Sequence, residues 1–173
     1  MLFTFMGMTA ETYIRHLHLQ PHPEGGFYKE TYRSQGRIAA ACLPGGFTGD
    51  RSFSTSIYYL LQQGDFSTFH RIRSDEGWHF YAGGTLLVHV LEPGGNYTCH
   101  RLGRRIAEGE QFQLVVPAGA WFAAEPAPET DFALVGCTVA PGFDFADFEL
   151  ARREPLQQEF PGQHDLVGRL CRQ

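Results

Sequence analysis

Between Phe69 and Gly83 the chain reads FHRIRSDEGWHFYAG, a run that carries His70 and His79 together with the carboxylates Asp75 and Glu76. Two imidazoles and two carboxylates this close can do two kinds of chemistry. As converging ligands they can hold a divalent first-row ion, which takes three or four donors from His, Cys, Asp or Glu. Without a metal, a histidine whose ordinary pKa is about 6.5 can move protons at neutral pH, and a neighbouring carboxylate orients it and favours its cation. A third reading gives the cluster no chemistry: a buried His–Glu pair can simply tie two strands together.

Strand alternation sorts these residues onto faces. On the first strand Thr68, His70 and Ile72 share one face; on the second, Glu76, Trp78 and Phe80 share one face while Gly77, His79 and Tyr81 share the other. His70 facing inward beside Glu76, with Trp78 and Phe80 as walls, makes an apolar pocket with a few polar groups, the usual form of a small-molecule site. Plain alternation turns His79 outward. It joins His70 and Glu76 as a third metal ligand only through a bulge near Gly77, which glycine tolerates. Imidazole ligation would favour zinc, nickel or iron over magnesium. Two ligands hold a metal weakly, so the metal-free reading is preferred. Upstream, the PHPEGG block (21–26) reads as a rigid turn, or as an arm that brings His22 and Glu24 to a pocket mouth.

The elements that must position these residues are short strands. SFSTSIYYLL, STFHRIR, GWHFYAG, TLLVHVLE, YTCHRLG, FQLVVP, WFAAEP and FALVGCTVA follow one another between turn signals such as Gly83-Gly84 and Pro93-Gly94-Gly95-Asn96. Their spacing of about ten residues predicts a jelly-roll-like sandwich. A further strand runs from Phe27 to about Arg33, residues 41–51 read as a loop, a leading helix capped by Thr9 places Tyr13, Ile14 and Leu17 on one side, and a closing helix carries Leu166 and Leu170. In VAPGFDFADFELA, Phe143, Phe145 and Phe148 are expected to seal one end of the sandwich while the acids at 144, 147 and 149 stay wet. The length of 173 residues accommodates one domain: a core of about 26–150, an N-terminal helix and arm at 9–25 and a C-terminal extension at 151–173.

Composition narrows the partners. A net charge of −5 provides no broad attraction for nucleic acid or anionic lipid, so a small local ligand is expected. Cys42, Cys99, Cys137 and Cys171 lack CxxC spacing and read as free thiols. The opening MLFTFMGM is too short for a membrane span and has no basic leader or cleavage site, so a cytoplasmic location is expected.

Gly64, His70, Glu76 and Gly83 are spaced as in the first motif of the cupin superfamily, Gly-x5-His-x-His-x3-Glu-x6-Gly, and Pro117-Ala118-Gly119 resembles the start of the second, Pro-x-Gly-x2-His. Ile72 and Phe122 stand where that pattern has its other metal histidines. Five blocks, LQPHPEGGFYKETYR, STSIYYLL, FHRIRSDEGWHFYAG, VPAGAWFA and LVGCTVAPGFDFADFELA, are similar in order and spacing to the uncharacterised family Cupin_5 (DUF985), from about residue 13 to 170. The resemblance implies an all-β double-stranded β-helix with short terminal helices, often a homodimer, with a shape similar to the sugar-nucleotide 3,5-epimerases. The family generally has Gln where this chain has Phe122. By analogy with the epimerases, a tyrosine on an adjoining strand, Tyr58 or Tyr28, would oppose the His70–Glu76 pair as acid. The expected function is binding of a small polar metabolite in the barrel interior, with metal-independent epimerisation or isomerisation by His70, Glu76 and Tyr58. Glu24, Tyr28, Trp78, Phe80 and Phe122 are the expected ligand-binding residues. The alternatives are a metal-dependent lyase or dioxygenase using His70, Glu76 and His79, and a non-catalytic metabolite-binding module.

Overall fold

The computed structural model describes residues 8–172, so all of the apolar opening segment except Met8 lies outside the described residues. Helix α1 (Ala10–Leu17) starts where the Thr9 hydroxyl accepts the Thr12 N–H and ends at His18, whose φ of 54° breaks the helical path. The strands that follow are β1 (Gln20–Pro21), β2 (Phe27–Arg33), β3 (Arg37–Ile38), β4 (Arg51–Ser52), β5 (Thr55–Gln62), β6 (Ser67–Arg71) and β7 (Asp75–Gly83). After them come β8 (Leu86–Leu91), β9 (Tyr97–Leu102), β10 (Gln113–Val116), β11 (Trp121–Pro126), β12 (Phe132–Ala140) and β13 (Glu149–Leu150). Each of the eight runs singled out by alternation forms a strand.

Two antiparallel sheets face each other, one in the order β1-β2-β5-β12-β7-β10 and the other β13-β6-β11-β8-β9, while β3 and β4 form a separate ribbon. From β5 onward the chain changes sheet at every connection except β8 to β9. This winding is the all-β double-stranded β-helix expected. It has a direct consequence for the opening motif: β6 and β7 are consecutive in the chain yet lie in opposite sheets, so His70 and Glu76 come from facing walls rather than from paired strands.

The core has three parts because both sheets carry apolar residues on both faces. Tyr59, Leu61, Trp78, Val88, Leu102 and Phe122 pack between the sheets. Outside the six-stranded sheet, α1 lays Tyr13, Ile14 and Leu17 over Leu60 and Leu134. Outside the five-stranded sheet, Phe69, Leu91 and Trp121 are covered by Leu156 and Phe160 near one helix and Val167 and Leu170 of another. These helices are α2 (Arg153–Glu159) and α3 (His164–Leu170). The closing helix was legible, although Val167 rather than Leu166 joins Leu170 in full burial. Helix α2 was not, because REPLQQE buries only Leu156 and so has no apolar periodicity to read. No helix among the described residues is long and apolar enough to cross a membrane.

Leu170 is 1% exposed against the outer face of the five-stranded sheet. Leu170→Ala is expected to cost about 3 kcal/mol, measured by urea unfolding, with one cooperative transition retained because the C-terminal helices share a core with the sheet.

Candidate functional site

The PHPEGG turn is the first device that builds the site. It joins β1 to β2 of the six-stranded sheet, and the Glu24 carbonyl accepts the N–H of Thr68 on β6 of the other sheet at 3.0 Å. The arm therefore spans the gap between sheets. Gly25 is required there: its φ is 119°, and a Cβ on it would meet the Phe66 carbonyl oxygen at 2.1 Å. The Tyr59 hydroxyl donates to the Gly25 carbonyl at 2.7 Å and holds the turn from below.

This arrangement delivers Glu24, not Glu76, to His70. The Glu24 Oε2 to His70 Nε2 distance is 3.1 Å, with side chains 8% and 4% exposed. His70 Nδ1 lies 2.7 Å from the Thr68 carbonyl, which can only accept, so Nδ1 carries a proton. Nε2 of the neutral ring is then an acceptor, and its contact with Glu24 needs one shared proton. Burial raises the Glu24 pKa, against the opposing charge of His22 and the nearby hydroxyls of Ser67 and Tyr59. Burial also lowers the His70 pKa to about 4, only partly offset by the bond to Thr68. Both directions place the proton on Glu24, giving a neutral carboxylic acid that donates to a neutral imidazole. Phe122 and Phe148 pack on the His70 ring with centroids 4.0 and 5.2 Å away, which is why the ring is so poorly solvated.

Glu76 stands on β7 in the opposite sheet, 8% exposed. Burial, then the nearby Glu24, push its pKa up to about 8, while a hydrogen bond from the Cys137 thiol acts the other way. His22 completes the polar group. Its Nδ1 accepts the Glu24 N–H at 3.3 Å, its ring meets Tyr28 edge-on at 4.4 Å, and burial lowers its pKa. His22, His70 and Glu76 thus favour their uncharged forms at neutral pH, and burial shifts Glu24 in the same direction.

These residues line a cavity of about 310 Å³ at one end of the sandwich interior, whose apolar wall includes Ile57, Ile72 and Val139. Phe143, Phe145 and Phe148 cross its mouth, with ring centroids 5.0 to 6.2 Å apart. The strap carrying them is pinned by Asp147, which takes two hydrogen bonds from Arg51 at 2.6 and 2.8 Å. Asp147 is therefore buried, contrary to the expectation that all three acids of this segment stay wet; Asp144 and Glu149 are exposed. Arg33 ties the other side, donating to the Phe143 carbonyl at 3.0 Å and to both Glu30 oxygens.

Among the residues expected to act, His70, Glu76, Glu24 and Tyr28 line this cavity together. Tyr58 does not: alternation on β5 turns it to the outer face, where it packs in the cluster under α1 and edge-on to Tyr81. The inward neighbour is Tyr59, and it is committed to Gly25. Trp78 and Phe122 are 1% exposed in the core behind the cavity, and Phe80 packs against the same core. They support the wall instead of forming it. His79 faces away, because β7 pairs in unbroken register from Asp75 to Phe80 with β12 and the bulge falls at Tyr81, too late to redirect it. With Ile72 and Phe122 apolar and His79 outside, the residues do not fit a three-ligand metal site, and among the described residues no three His, Cys, Asp or Glu converge to hold a metal. Cys137 is a lining residue that the sequence reading passed over, although the inward alternation of Ala133, Val135 and Val139 marks its face. Arg33 and Thr55 carried no such signal.

Comparison with known proteins follows the fold. Residues 11–151 match the family described as Cupin_5, Cupin superfamily (DUF985). An uncharacterized protein of Saccharomyces cerevisiae is 32% identical over 142 residues, spanning 77% of this chain and 70% of the relative. Among solved structures, a Shewanella oneidensis protein is 40% identical with a TM-score of 0.84, over 96% of this chain and 99% of that one. A hypothetical protein from Leishmania major is 32% identical with a TM-score of 0.86, over 95% and 99%. Oxalate decarboxylase from Bacillus subtilis aligns at 16% identity and a TM-score of 0.52, over 87% of this chain and 36% of that one, a likeness of fold alone.

The raised Glu76 pKa sets a pH dependence. A carboxyl at about 8 in the folded state, against an ordinary value of 4.5, contributes stability that is complete below 4.5 and is lost as pH rises through 8. Glu76→Gln has no such loss. Its Tm relative to the parent is expected to rise by about 5 °C or more between pH 5 and pH 9 in thermal melts, and a constant difference would show that Glu76 ionises normally.

Proposed function

We propose that this chain, which belongs to the Cupin_5 (DUF985) family of the cupin superfamily, binds a small, uncharged polar metabolite between its two sheets and moves a proton on it without a metal. The observation that carries this reading is the placement of two separate proton-holding groups, the Glu24–His70 pair and Glu76, around one apolar cavity. A pocket whose ionisable groups rest uncharged suits a neutral polar ligand, because such a ligand brings hydrogen-bonding groups without adding an unpaired charge.

The chemistry that fits is proton transfer beside a carbonyl. Glu76, with a pKa of about 8, is near the operating pH and can take a proton from carbon in its ionised form. The proton held between Glu24 and His70 goes to the carbonyl oxygen, giving an enol. Glu76 then returns its proton to carbon as the Glu24–His70 pair takes an enol proton back. Delivery to the opposite face after the enol has turned over epimerises the ligand, and delivery to the neighbouring carbon of an enediol isomerises it; both acids end as they began. The apolar rings of Phe143, Phe145 and Phe148 keep bulk water from competing for the enol. This is the reaction class expected from the sequence, with Glu24 taking the place that Tyr58 was expected to fill. We also propose a homodimer through the outer face of the six-stranded sheet, near the exposed Tyr81 and Val115, which sedimentation would test.

The direct test is hydrogen exchange in D2O, followed by proton NMR, on a panel of uncharged carbonyl metabolites: keto sugars, aldoses and hydroxyketones. One class is expected to lose its signal beside the carbonyl, faster as pH rises toward 8. His70→Asn and Glu76→Gln are each expected to slow exchange by about 100-fold or more. Ligand binding with no exchange in any member of the panel would overturn the catalytic part and leave a metabolite-binding module.

A further inference from the structure

A second cluster of reactive groups lies outside the cavity, on the outer face of the five-stranded sheet. Cys99 on β9 is directly opposite His89 on β8. His89 is 4% exposed, its Nε2 is 3.2 Å from Glu125 Oε1, and its Nδ1 is 3.0 Å from the Tyr97 hydroxyl. Glu125 is bound in turn by Arg169 of α3. Hydrogen bonds from His89 and Arg169 outweigh partial burial and hold Glu125 down to about 2, so it is a carboxylate that accepts the Nε2 proton. That leaves Nδ1 of the neutral ring without a proton, accepting from the Tyr97 hydroxyl on the strand that also carries the thiol. The order Arg169, Glu125, His89, Cys99 is that of an oriented base beside a nucleophile.

We propose that Cys99 is a thiol activated by His89 that reacts with hydroperoxides. Cys99 is exposed, so an oxidant can reach it, and His89 and Tyr97 also form part of the wall of a groove of about 750 Å³ that gives access from the α3 side. In the reaction the thiol proton passes to His89 Nδ1. Sulfur attacks the terminal oxygen of the hydroperoxide, the S–O bond forms as the O–O bond breaks, and the departing alkoxide or hydroxide takes the proton back from His89. Sulfur is oxidised by two electrons to a sulfenic acid, and the peroxide is reduced to alcohol or water. Once Nδ1 has taken the thiol proton it no longer accepts from Tyr97, and the freed Tyr97 hydroxyl donates its one hydrogen bond where the leaving oxygen develops charge. The groups facing the thiol agree with this assignment. Partial burial opposes ionisation, but hydrogen bonds from His89 and Tyr97 and the charges of His89 and Arg101 bring the Cys99 pKa below the ordinary thiol value.

Cys42 is a built-in control, since it too is exposed. Peptide mass spectrometry after brief hydrogen peroxide treatment with dimedone, and after limiting iodoacetamide, reads both cysteines in one molecule. At pH 7, Cys99 is expected to react at least about tenfold faster than Cys42, with its alkylation inflecting at lower pH. His89→Gln is expected to bring Cys99 to the Cys42 rate, and Glu125→Gln to move it part of the way. Equal rates at Cys99 and Cys42 in the unaltered protein, or a Cys99 rate unchanged in a folded His89→Gln protein, would overturn the proposal. The comparison in the unaltered protein decides the matter even where the variant does not fold.

Discussion

The proton held between Glu24 and His70 is the interaction on which the interior depends. A carboxylate taken out of water loses hydration worth several kcal/mol and must either find a cation or keep its proton. Here the imidazole that meets its Oε2, His70, is itself packed between Phe122 and Phe148 and is no better solvated than the acid, and burial disfavours the cation of the neighbouring His22 as well. Sharing one proton leaves both groups uncharged while satisfying each. Glu76, in the same cavity, meets the same constraint alone and keeps its proton up to about pH 8.

That constraint explains several features together. The Nδ1 bond to the Thr68 carbonyl fixes the imidazole tautomer, so Nε2 must be the atom that meets Glu24. The Gly25 turn and its bond from Tyr59 fix where Glu24 sits. The Phe143–Phe148 strap keeps the cavity apolar at its mouth, and its own anchor is the Arg51–Asp147 pair, buried but doubly hydrogen-bonded. Glu24, His70 and Asp147 each have a named partner. This is the condition under which buried polar groups make an interior specific instead of merely unstable.

The cupin pattern is also informative where it is broken. Ile72 and Phe122 occupy two positions at which the superfamily pattern has histidine, and both now serve the apolar environment of His70. Replacing ligands by hydrophobic groups turns a site suited to a cation into one suited to uncharged donors and acceptors. The second cluster, around the exposed Cys99, has the opposite character: its carboxylate, Glu125, is held ionised by His89 and Arg169. One fold thus places two unlike clusters of titratable groups on the two sides of its five-stranded sheet.

What the sequence by itself determined was local and periodic. Alternation identified every long strand, the inward faces of His70, Glu76 and Ile72, and the outward face of His79, because side-chain direction along a strand repeats every two residues. Thr9 marked the start of α1, and the triple Phe segment marked a seal. What only the tertiary structure decided was which of these residues meet. The change of sheet between β6 and β7 put His70 and Glu76 on facing walls, and an arm some 46 residues before His70 in the chain supplied its carboxylate partner. Tyr58 and Tyr59 illustrate the limit: they are neighbours with similar chemistry, and only the packing of α1 on one face of β5 shows which points outward. Helix α2 formed without periodicity because the apolar face of the five-stranded sheet required a cover. Pairings of this kind depend on loop paths and on what lies across a sheet, and neither leaves a local pattern in the chain.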